Sequence, residues 1–243
     1  MAKPTGNPIN DGLLEIAAKN NISTIWDRFM EQEPHCGFGT LGACCKICNL
    51  GPCRIDPFGE CAQKGACGAD ADTISSRNLT RNTAAGAACH SDHGRTLAIT
   101  LLELGRGIAK DYSIKDPAKL KRLAAEFGIK IEGKSDLKIA EELGGAILKE
   151  YGQQEGELTL TKRAPKKQQE NWKKTNVNPR GIDIEVVQVM SRTHIGCDNE
   201  YKHVLESAIR ASLVDGWGGS MIATELSDIL FGSPQPLRST RRS

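Results

Sequence analysis

Cys45, Cys48, Cys53 and Cys67 are spaced C-x2-C-x4-C-x13-C. Thiolates are soft ligands, and three on one short loop with a fourth returning from later in the chain can reach the four corners of a cubane iron–sulfur cluster. Gly51-Pro52 predicts a tight turn just ahead of the third thiol. Zinc also takes four Cys, though more often as two two-ligand knuckles, and stands as the alternative metal. Cys61 precedes Cys67 as C-x5-C, so either thiol could be the fourth ligand. Gly65 and Gly68 allow close backbone approach and amide donation to sulfur, which favours Cys67.

Cys36 and Cys44 remain as C-x7-C, only half a site. In an extended segment adjacent side chains point apart, so Cys44 and Cys45 are expected to serve different sites. Two copies of the half-site meeting on a two-fold axis would complete a second four-thiolate cluster and require an isologous dimer. Otherwise these two are free thiols, or Cys36 replaces one of the other four. Cys89, in AAGAAC, reads as a small buried helix residue, and Cys197 is read the same way. His90 and His93 fall on one helix face and are candidates for proton relay or metal binding, or for a hydrogen-bonded structural pair. No G-x-S-x-G, Walker loop or strand-following G-x-G-x-x-G is present, so nucleotide chemistry has no support.

These residues need a scaffold. Eight of the nine Cys fall between Cys36 and Cys89. In a reducing compartment such a local group is a metal site before it is a disulfide framework. The length, 243 residues, suits one large or two small domains, and a net charge of +2 offers nothing to nucleic acid or an anionic membrane. The strongest apolar run, about Leu97–Leu104, is too short to span a bilayer, and MAKPTGNPINDGLL lacks an apolar signal region, so a cytoplasmic protein is expected.

The fold class is expected to be mainly α: a helical cluster-binding domain with a Cys/Gly-rich loop, followed by the start of a second domain. Residues 1–34 read as N-terminal helices, with Ile22, Ile25, Trp26 and Phe29 at helical spacing, and 35–68 as the cluster loop. In the helical domain, 69–153, two helices follow Gly68, opening at Asp70 or Asp72 and stopping near Gly105 or Gly107. Two more are capped by Asp116 and Ser135. Residues 154–181 read as a polar, basic, solvated connector, with seven Lys or Arg against one Glu from Lys162 to Arg180. Residues 182–232 read as three helices, the third opening after GWGG, and 233–243 as a frayed tail.

At HCGFGTLGACCKICNLGPCRIDPFG the chain closely resembles the amino-terminal part of the nickel-dependent anaerobic carbon monoxide dehydrogenases. The resemblance runs on through GACGADADTISSRN, AAGAACHSDHGRTLA, GIDIEVVQVMSRTHIGCDNE and TELSDILFGSPQP, nearly the whole chain. It implies an internal [4Fe–4S] relay cluster on Cys45, Cys48, Cys53 and Cys67. It implies a second [4Fe–4S] cluster shared across a homodimer, to which each chain gives Cys36 and Cys44, and it selects Cys67 over Cys61.

The implied reaction is CO + H2O to CO2 with two protons and two electrons, at a nickel–iron–sulfur cluster held by residues of later domains. The chain reads as truncated before those domains, as a truncation, a frameshift or a separately encoded partner would leave it, and is expected to be inactive on CO alone. Its electrons would pass to a ferredoxin-like acceptor, and an acetyl-CoA synthase partner is conceivable. The family's ladder of His at three-residue intervals begins here with His90 and His93 and continues as Thr96 and Ile99, which breaks it. A zinc- or partner-binding adaptor and an inert truncated product are the competing readings. A hybrid-cluster-type protein fits less well, because of the CC pair and the C-x7-C half-site.

Overall fold

The small-residue stretch after Gly68 becomes the central element of the protein. A computed structural model describes residues 5–235; the rest of the expected frayed tail and residues 1–4 of the first segment lie outside it. Asp70 accepts a hydrogen bond from the Thr73 amide and opens α4, Ala71–Gly105, one unbroken 35-residue helix where two were expected. Gly86, exposed, and Gly94, packed against Tyr151 and Gly219, do not interrupt it. One face of α4 runs through Thr73, Arg77, Thr80, Ala84, Ala87, Ser91, Gly94, Ala98 and Leu101, all buried, at a helical period.

Ahead of α4 lie α1 (Pro8–Lys19), α2 (Ile25–Met30) and α3 (Gly37–Thr40), none of which buries a residue, and a two-stranded antiparallel ladder of β1 (Cys44–Cys45) and β2 (Cys53–Arg54). After α4 come α5 (Pro117–Glu126), with Asp116 accepting from the Lys119 amide, and α6 (Asp136–Gly152), with Ser135 accepting from Lys138, as expected. Next are α7 (Lys166–Lys174), α8 (Ile182–Arg192), α9 (Tyr201–Val214) and α10 (Met221–Phe231). One continuous core joins Leu97, Leu101 and Leu104 of α4 to Leu120 and Leu123 of α5, Leu143 and Ile147 of α6, and Leu226 and Ile229 of α10.

Two expectations are corrected. GWGG does not separate helices: residues 215–220 form a π-helical stretch that carries α9 straight into α10. Gly218 and Gly219 serve close approach, since a Cβ would stand 3.2 Å from the Ile182 side chain at the first and 2.7 Å from the Ser91 backbone N at the second. The basic stretch is not a solvated connector either. Leu158, Leu160, Ala164, Trp172 and Val177 are buried, and Arg163 bonds Glu126 at 2.7 and 2.8 Å and Glu225 at 2.7 Å, tying the stretch to α5 and α10. Ser233, expected in the frayed tail, is held by its hydroxyl donating to Asp116 at 2.6 Å.

Candidate metal centre

Local backbone geometry builds the thiol pocket. In the β1/β2 ladder Cys45 lies opposite Cys53, and Ile55 N–H donates to Ala43 C=O at 3.0 Å to extend the pairing. Gly51 N–H closes the intervening turn on Cys48 C=O at 3.1 Å. Only glycine fits there, because a Cβ on Gly51 would lie 2.8 Å from the Cys45 carbonyl oxygen. Further on, Gly65 N–H donates to Ala69 C=O at 2.8 Å, and Gly68 N–H to Gly65 C=O at 2.9 Å, which brings Cys67 back towards the ladder.

Cys45, Cys48, Cys53 and Cys67 therefore line one pocket, closed by Ile47, Ile74 and Ile195. The thiols stand around it and do not converge on a point: among the described residues no three His, Cys, Asp or Glu close on a single metal ion. Donors approach the sulfurs. Ala66 N–H donates to Cys53 Sγ at 3.5 Å, and Arg77 Nη1 to Cys67 Sγ at 3.6 Å. Burial pushes the Cys67 thiol up. The Ala69 amide, the Arg77 guanidinium and the Gly196 amide outweigh burial and hold it below its ordinary value. Four thiols with amide donors, in an apolar-walled pocket, are a donor set that fits an iron–sulfur cluster.

Cys61 is not in this pocket. It is exposed, at the end of a loop whose amides, Phe58, Glu60 and Cys61, donate to the Asp56 carboxylate. The Phe58 amide leads in holding that carboxyl below its usual range, against burial. Cys44, next to Cys45, lines a different, open groove with Gly39, Thr40 and Leu41, the residues shortly after Cys36. Cys36 is exposed before α3, and the amides of Gly39 and Phe38 lower its thiol pKa, with burial opposing. Cys44 and Cys45 thus face apart, as adjacent strand residues do.

Cys89 and Cys197, expected to be buried, are both exposed. The buried stripe of α4 passes through Ala87 and Ser91, leaving Cys89 on the outer side, and Cys197 lies in the loop between α8 and α9. His90 and His93 do share a face, lining a groove with Ser220, Thr224 and Asp228, and His90 Nδ1 lies 2.6 Å from Asp215 Oδ1. Ile99 breaks the row with an apolar side chain.

The sequence reading missed what covers the pocket. The loop joining α8 to α9 supplies Ile195 and the Gly196 amide, and Asn199 Nδ2 donates to Cys67 C=O at 3.3 Å. Arg77 clamps this loop, donating to Asp198 C=O at 2.6 Å and Asn199 Oδ1 at 2.7 Å. One signal was legible: Arg77 is the single charged residue on the buried stripe of α4.

Residues 43–242 match the model of the Prismane/CO dehydrogenase family. The chain belongs to that family. Carbon monoxide dehydrogenase 1 of Methanosarcina mazei is 53% identical over 96% of this chain and 37% of its own length. Among solved structures, a nickel-free carbon monoxide dehydrogenase from Thermococcus sp. AM4 superposes with a TM-score of 0.87 at 50% identity, over 93% of this chain and 36% of that one. An acetyl-CoA synthase/carbon monoxide dehydrogenase whose alpha subunits carry nickel and [Fe4S4] clusters superposes with a TM-score of 0.86 at 40% identity, over 93% and 34%. The chain thus spans a little over a third of these relatives. Among the described residues no helix is long and apolar enough to cross a membrane.

Proposed function

We propose that this chain is the electron-relay portion of an anaerobic nickel carbon monoxide dehydrogenase. The observation that carries the reading is the partition of adjacent thiols: Cys45 lines the enclosed pocket with Cys48, Cys53 and Cys67, while Cys44 faces an open groove beside the segment that begins at Cys36. Cys45, Cys48, Cys53 and Cys67 would hold an internal [4Fe–4S] cluster, and Cys36 and Cys44 would give half the ligands of a second one, shared with another copy of the chain. A bound [4Fe–4S] cluster supplies a one-electron couple.

The protein's own residues do the rest. Ile47, Ile74 and Ile195 exclude water from the inner pocket, and the Ala66 amide and Arg77 stabilise negative charge on the sulfurs. The single peptide link between Cys45 and Cys44 makes the inner and outer sites neighbours, so electrons leave through the exposed Cys36/Cys44 face to a ferredoxin-like acceptor. In the complete enzyme these electrons would come from oxidation of CO with water at a nickel–iron–sulfur cluster. An acetyl-CoA synthase partner fits the same family. His90 and His93, with Asp215, would pass protons only over the short row that ends before Ile99.

Iron, acid-labile sulfide and solution mass of the anaerobically purified or reconstituted chain test this. About six iron per chain in a dimer is expected, one whole cluster plus half of a shared one. About four in a monomer would remove the shared site. Zinc without sulfide would overturn the relay.

A further inference from the structure

Arg77 is buried to 1% exposure inside the first half of α4. A guanidinium is always charged and costs several kcal/mol to bury without a counter-charge. Among the described residues Arg77 has no carboxylate partner: its hydrogen bonds go to the Cys67 sulfur, the Asp198 carbonyl and the Asn199 side-chain oxygen. The nearby Asp198 carboxylate is engaged elsewhere, accepting from the Glu200 amide at 2.9 Å and lying 3.5 Å from His203. Arg77 Nε is buried with no hydrogen-bond partner. Its side chain lines the same pocket as the four thiols. A buried cation with neutral partners, one sulfur contact and a spare N–H beside four thiols has one candidate counter-charge in direct contact, the group those thiols hold.

We propose that Arg77 is the built-in counter-cation of the four-thiol centre, raising the reduction potential of the cluster there in addition to clamping the loop over it. The inference rests on the relay reading above. Adding one electron adds one negative charge to the centre. A fixed cation a few ångströms away in a water-poor pocket favours that reduced form, and the Coulomb term is large enough at an effective dielectric of about 20 to move the equilibrium by tenfold or more.

The test is a mediator-poised reductive titration of the anaerobically reconstituted full chain, followed by EPR, with iron, sulfide and far-UV circular dichroism measured on every sample. Arg77→Met and Arg77→Gln remove the charge. Arg77→Lys keeps it, and Asn199→Ala loosens the clamp while leaving Arg77 in place. The neutral variants should show a reduced-to-oxidised ratio lower by about tenfold at a fixed poise, about 59 mV for a one-electron couple. Arg77→Lys and Asn199→Ala should stay close to the parent. If the neutral variants fold but take up no iron while Arg77→Lys loads fully, charge is needed to hold the cluster, which supports the assignment.

Fully loaded neutral variants with the parent's potential would overturn it. So would an Asn199→Ala shift as large as that of Arg77→Met, or equal cluster loss in all three Arg77 variants, since either makes the clamp the whole role. A parent chain without iron and sulfide would instead sink the relay reading beneath it.

Discussion

Around the thiol pocket the buried apolar side chains are Cys45, Ile55, Ala69 and Ile74, whereas a single core made mostly of leucines, isoleucines and alanines joins α4, α5, α6 and α10. The first region is organised by short turns, a two-residue ladder and side-chain bonds from α4, such as Asn78 Nδ2 to the Gly42 and Cys44 carbonyls at 3.0 and 2.9 Å. The second is organised by apolar burial, the dominant favourable term in folding. On the relay reading, a loop with so small a core would depend on the cluster its thiols hold, while the helical bundle beneath has its own apolar core. The bundle can thus hold Arg77 and Asn78 in place by itself.

The largest effect expected from this contrast is all-or-none. Cys53→Ser should abolish iron binding at the inner pocket while far-UV circular dichroism keeps its helical signal. Chelating the metal from the parent should raise hydrogen exchange through residues 43–69 and leave α6 protected. Simultaneous loss of protection in α6 would show that the two regions fold as one unit. Next in size, Leu143→Ala, at a fully buried core position, should cost about 2–5 kcal/mol in denaturant unfolding with iron content per folded chain unchanged.

Gly144→Ala should be milder but clearly unfavourable, about 1–3 kcal/mol, because the new Cβ would lie 2.8 Å from Leu102 N and 2.9 Å from Ala98 O, where α6 crosses α4. Gly145→Ala, with nothing within 4 Å, should be neutral or stabilising by up to about 1 kcal/mol. The smallest effect concerns Glu126, whose carboxyl Arg163 holds below its ordinary value. The folded form then binds its proton less readily than the unfolded form, so the pair's contribution is present above the unfolded pKa and is lost as pH falls through the folded one. The melting temperature of the parent should exceed that of Glu126→Gln at pH 7, and the gap should close in acid.

Cap residues were legible before any fold was known. Asp70, Asp116 and Ser135 accept the amides expected of them, because a cap bond spans only three residues. Glycine misled at GWGG, expected to open a helix and found inside a continuous one. Glycine marks a breaker and a close approach with the same letter, and only the packing partner tells them apart. The basic stretch misled for a similar reason: it looks solvated until Trp172 is found buried with its ring 5.9 Å from that of Trp217.

By itself the sequence determined the helical class, the capped helix starts and the grouping of Cys45, Cys48 and Cys53, since these depend on periodicity and on residues a few positions apart. Tertiary structure alone decided the rest. It turned Cys89 outward, laid Ile195 and Gly196 over the thiols, and set Arg77 against a sulfur under a loop more than a hundred residues away. Those relations come from chain segments meeting across the bundle, and burial of α4's small face against α8 and α9 is the physical event that brings them together.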